Sequence, residues 1–101
     1  MAIVFTAYIG FNGPHALPSS NRVTLFELLA DSGLDGYTAY RADGFYQGSA
    51  EPSAVVVVIA RTEDEAVTQG TALLEVCHRY KELTGQQEVW VTRRTEELQV
   101  L

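Results

Sequence analysis

Two stretches of the sequence gather side chains of the kinds that hold small ligands. The first is Gly10-Phe-Asn-Gly-Pro-His-Ala-Leu-Pro-Ser-Ser-Asn21, with two glycines and two prolines. It runs from the end of an expected strand to the start of an expected helix, where backbone N–H groups and the helix dipole receive anions. Asn12, His15, Ser20 and Arg22 are its candidate contacts, and Arg22 supplies positive charge beside the helix start. The competing account is a plain connector in which Ser19, Ser20 and Asn21 cap the helix. The segment matches neither a Walker loop nor a dinucleotide fingerprint. The second stretch holds the densest set of polar groups in the chain: Arg41, Tyr46, Gln47, Glu51 and Ser53, with Asp43 nearby. Tyr37, Tyr40 and Phe45 add aromatic rings that fill a core or a subunit interface, or stack on a ligand.

Catalytic and metal chemistry find less support. Glu51, Arg41, Tyr46 and His15 are the groups able to act as acid, base or charge stabiliser, but there is no nucleophile elbow or paired-carboxylate motif. Cys77 is the single cysteine, nothing near it has zinc-ligand spacing, and His78 beside it reads as a packing residue. No catalytic residue, metal site or cofactor is therefore expected. A formal charge of −6 and a pI near 4.7 argue against a nucleic-acid surface, which needs clustered Lys and Arg. The scattered basic residues argue equally against a polybasic membrane contact. The amino terminus has no basic leader pattern, so a reducing, cytoplasmic setting is the expectation.

The elements that must carry these residues can be read from periodicity. Residues 1–101 suit one small domain. Val55 to Ile59 is a run of β-branched residues, apolar on both faces, as in a strand covered by helices on one side and by further protein on the other. Ala2 to Ile9 reads as the first strand. Helix one is expected from near Ser20, or as late as Leu25 if Thr24-Leu-Phe-Glu27 is a capping box, and it stops at Gly33. Tyr37 to Ala42 forms a second strand, bent by a bulge at Asp43-Gly44, with Gly48 to Ser53 as the loop into the valine run. Thr62-Glu-Asp-Glu65 is a capping box opening helix two, which runs to Thr84 and stops at Gly85 with Gly70 on its inward stripe. Glu88 to Arg93 is the last strand. The tail 94–101, with Leu98, Val100 and Leu101, is expected to add an edge strand or to pack on a neighbouring subunit.

Strand, helix, strand, strand, helix, strand is the ferredoxin-like βαββαβ order, an α+β fold with a four-stranded antiparallel sheet and two helices on one face. With Gly48, Glu51 and Ser53 ahead of a valine-rich third strand, the chain resembles the small PII and CutA class, and phage and bacterial proteins of the same topology. That resemblance implies a homotrimer with nucleotides bound in clefts between subunits. The loop between strands two and three is much shorter than the signalling loop of PII proteins. Their basic nucleotide-contacting motifs and the copper-binding residues of CutA are also absent. The function expected is a non-enzymatic oligomeric module that binds a small anionic ligand, such as a nucleotide, for regulation or sequestration. The alternatives are a protein-interaction module and, third, a small enzyme.

Overall fold

The computed structural model describes residues 1–101. The chain forms β1 (Ala2–Gly10), α1 (Pro18–Ala30), β2 (Thr38–Tyr46), β3 (Ser49–Ala60), α2 (Glu63–Thr84) and β4 (Trp90–Glu96). The strands form one sheet in the order β2-β3-β1-β4, with every neighbouring pair antiparallel. Alternation divides β1 and β3 between the two faces of this sheet. Ile3, Phe5, Ala7 and Ile9 of β1 and Ala54, Val56, Val58 and Ala60 of β3 enter the core with Leu25 and Leu29 of α1 and Leu73, Val76 and Tyr80 of α2. Both helices therefore lie on one face, in the α+β arrangement expected.

The opposite face has no helix over it. Val4, Thr6 and Val55 are buried there because they sit on central strands beneath larger neighbours, while Tyr8, Tyr40, Ile59 and Trp90 stay 46–64% exposed. Tyr40, Val55, Tyr8 and Trp90 form one row across all four strands, each paired with the next.

α2 forms as its sequence dictates. The Thr62 hydroxyl accepts from the Glu65 N–H at 3.1 Å, and the Glu65 carboxylate accepts from the Arg61 N–H at 2.7 Å. Glu63, Asp64 and Glu65 face the positive end of the helix dipole. Gly85 ends the helix in the left-handed region, with φ 75°, and its N–H returns to the Lys81 carbonyl. Midway, the Phe5 ring lies directly on Gly70, and a Cβ there would stand 2.8 Å from its Cζ. Gly70→Val is thus expected to cost about 2 kcal/mol by overpacking, read as a lowered midpoint in urea; an unchanged midpoint would show that helix and sheet separate freely.

Several boundaries differ from the sequence reading. α1 begins at Pro18, with Leu17 as an N-cap that makes no side-chain bond, so Ser19, Ser20 and Asn21 do not cap it and Thr24 does not open it. Proline at the first turn accounts for the earlier start, since its missing N–H is one the helix leaves unpaired anyway. No bulge interrupts β2: pairing with β3 runs unbroken from Thr38↔Val57 through Gly44↔Glu51 to Tyr46↔Ser49. The hairpin loop is Gln47-Gly48 alone, with φ 50° and 79°, the double positive φ of a type I′ turn. Pro52 is tolerated inside β3 because its backbone points toward β1, which has already ended, and its carbonyl accepts from the Phe11 N–H. β4 begins later than expected and runs on to Glu96, and residues 97–101 follow it without regular structure.

Candidate ligand cleft

β1 ends at Gly10, opposite Ser53, and the chain then turns away through residues 11–17. One buried side chain shapes that turn. Asn21, on the first turn of α1, donates through Nδ2 to the carbonyls of Phe11 at 2.8 Å, Gly13 at 3.0 Å and Ala16 at 3.3 Å. The loop is also tied to the end of α2, where the His15 N–H donates to the Thr84 carbonyl at 3.0 Å and its ring Nδ1 approaches the Leu83 carbonyl at 3.3 Å. A side chain at position 85 would meet the His15 ring, a second reason for glycine there.

These ties hold the loop and residues 85–88 against the base of the β2–β3 hairpin, and a cleft of about 820 Å³ lies between them. That volume is within the range of small-molecule sites. Glu51 is its organising side chain. Its Oε2 accepts from the Asn12 N–H at 3.2 Å and from the Gln86 amide at 3.1 Å, and Oε1 has no protein partner. The carboxylate occupies the space a side chain at position 10 would fill, so Gly10 is what admits it. Beneath it, the Tyr80 hydroxyl donates to the Gly10 carbonyl at 2.6 Å. Burial pushes the Tyr80 phenol up to about 12, and the charge of Glu51 adds to the shift.

Asp43, Glu51 and Glu88 line the cleft, with no lysine or arginine among the lining residues. Phe45 and Tyr46 border it on the hairpin side, and Tyr8 and Trp90 on the sheet side. The Trp90 indole N–H donates to Glu88 at 3.1 Å, which fixes the ring's orientation.

Of the residues singled out by sequence, Asn12, Tyr46, Gln47, Glu51 and Ser53 line this cleft, while His15, Ser20, Arg22 and Arg41 do not. His15 is the clamp just described. Arg22 stacks over Phe26 at 5.3 Å along α1, Ser20 is exposed on the same helix, and Arg41 is exposed on β2. Sequence reasoning did not find Tyr8, Gln86, Glu88 or Trp90. Each reads locally as an ordinary strand or loop residue, and only pairing of the first strand, β1, with the last, β4, brings them to one place.

No family model matches the sequence, and no curated protein matches it. Solved structures match it in fold. A DUF3240 family protein from Shewanella baltica is 13% identical with TM-score 0.58, covering 98% of this chain and 94% of that one. CPII, a nitrogen regulatory PII-like protein from Thiomonas intermedia bound to ADP, AMP and bicarbonate, is 16% identical with TM-score 0.57, covering 99% and 98%. A phage SAM lyase in complex with S-methyl-5'-thioadenosine is 13% identical with TM-score 0.54, covering 92% and 80%. Over nearly its whole length, the chain therefore has the ferredoxin-like fold of these proteins, PII-like among them.

Proposed function

We propose that the protein is a homo-oligomeric binding module that takes an adenosine-type small molecule in the cleft around Glu51, for regulation or sequestration in the cytoplasm. The observation that carries this reading is the Glu51 carboxylate, fixed through Oε2 and left with Oε1 free to meet a ligand donor. Asn12, Tyr46, Gln47 and Ser53 are the further contacts. Two proteins of the same fold support the ligand class, one holding ADP and AMP and the other S-methyl-5'-thioadenosine. The charge of the cleft changes the ligand expected from sequence. Three carboxylates without a basic partner repel phosphate, so a neutral or cationic nucleoside fits better than a nucleotide anion.

The helix-free sheet face supports the oligomer. Tyr40 and Ile59 stay exposed on it beside the half-buried Val57, an apolar surface suited to a second copy, and a trimer is the form favoured. Leu98, Val100 and Leu101 add unpacked apolar side chains at the end of β4. No helix is long and apolar enough to cross a membrane.

Glu51→Gln tests the site. Glutamine keeps an oxygen for Asn12 and Gln86 but loses the charge, so affinity for S-adenosylmethionine, a sulfonium nucleoside, is expected to fall about ten-fold or more with little change in melting temperature. Isothermal calorimetry on both proteins measures this, and equal affinity would reject the role given to Glu51. Native mass spectrometry counts the subunits, and a monomer would end the oligomer reading.

Glu51 also favours a second reading. A carboxylate with a free oxygen beside a sulfonium nucleoside suits a small enzyme acting on that substrate, and one structural neighbour is a SAM lyase. Release of S-methyl-5'-thioadenosine from S-adenosylmethionine by the wild type, and not by Glu51→Gln, would establish it. Intact S-adenosylmethionine after long incubation would reject it.

A further inference from the structure

Trp90 is the only tryptophan in the chain, and it stands 64% exposed as the first residue of edge strand β4. Its direct cross-strand partner is Tyr8, itself 46% exposed. Large aromatic rings left open to water forgo the burial that would stabilise them, and this pair does so where the sheet forms one border of the cleft. The indole is also held: its N–H is bonded to Glu88, which leaves the ring faces available. The Glu51 carboxylate lies against Gly10, two residues beyond Tyr8 on β1, which puts the aromatic pair about 7 Å along the strand from it. A nucleoside carrying a 5′ substituent bridges such a separation, with its flat ring at one end and a polar or charged group at the other.

We propose that Tyr8 and Trp90 are the stacking platform for the planar ring of the ligand, a proposal that rests on the nucleoside-binding function above. Stacking is indifferent to the edge pattern of the ring, so these residues supply affinity for a base, and Glu51 at the far end selects the substituent.

The sole tryptophan makes the test direct. The full-length protein is titrated with S-methyl-5'-thioadenosine and with 5-methylthioribose, which has the same sugar and sulfur but no base. Tryptophan fluorescence and calorimetric heat are followed together. The expected result is fluorescence quenching by the base-bearing probe over the concentrations that release heat, and none by the sugar. Trp90→Ala should weaken the base-bearing probe about ten-fold at an unchanged subunit count, and Trp90→Phe should restore most of the loss. Binding heat with unchanged fluorescence would overturn the platform while leaving the cleft's function standing. A lower subunit count in Trp90→Ala would overturn it by making the pair an assembly contact. No heat from adenosine, S-methyl-5'-thioadenosine or S-adenosylmethionine would remove the nucleoside reading itself, and the platform with it.

Discussion

Asn21→Asp should cost about 4 kcal/mol of folding stability, a large part of what a domain of this size has. The two side chains have nearly the same shape, so packing is not what changes. Asn21 is 1% exposed, and its Nδ2 donates to the backbone carbonyls of Phe11, Gly13 and Ala16, gathering three points of the loop on one side chain. An aspartate places acceptor oxygens against those acceptors, and its charge is buried without a partner. Urea denaturation at neutral pH measures the loss. Asn21→Ala, which removes the donors without adding charge, should cost about 2 kcal/mol. If both variants lost less than about 0.5 kcal/mol, the loop would be held by something other than this side chain.

Stability should also fall steeply in alkali. Burial pushes the Cys77 thiol from 9.0 up to about 11 and the Tyr80 phenol from 10.0 up to about 12. Both groups keep their protons more tightly in the folded chain than in the unfolded one. The stabilisation is therefore fully present below pH 9 and is lost as pH rises from there toward 12. Two shifts of this size amount to about 5 kcal/mol between them, an upper figure because water entry eases the cost of ionising a buried group. Unfolding free energies in urea at pH 8 and pH 11 should differ by several kcal/mol, with Cys77→Ala removing a large part of the difference. Equal stability at the two pH values would contradict the burial of both groups.

Features that depend on neighbours in sequence could be read without a structure. The capping box at Thr62, the glycine stop at position 85 and the β-branched run at Val55 each act through residues a few positions apart. Asn21 escaped because a short polar side chain before an apolar stripe is the usual mark of an N-cap, and nothing local says that it turns inward. The hairpin escaped for a related reason. Its turn places Gln47 at positive φ, an unusual conformation for glutamine, whereas Gly48, Pro52 and Ser53 advertise a longer loop. Of the candidate site, the hairpin half was legible as a polar cluster, and Asn12 as part of a separate loop whose place beside the hairpin no local pattern gives. The sheet half, Tyr8 and Trp90, depended on a strand register that no short window of sequence contains.

The ties made by Asn21 and His15 also bear on the thermodynamics of occupancy. They join one wall of the cleft to the start of α1 and the end of α2, so that wall loses its conformational freedom when the chain folds. A ligand arriving there meets a surface already in place. The hairpin tip is different: Phe45 is 80% exposed, and the strand pair beneath it runs on past the end of β1. Any ordering that accompanies binding is thereby confined to one side of the cleft, and affinity rests on half a site that needs no rearrangement.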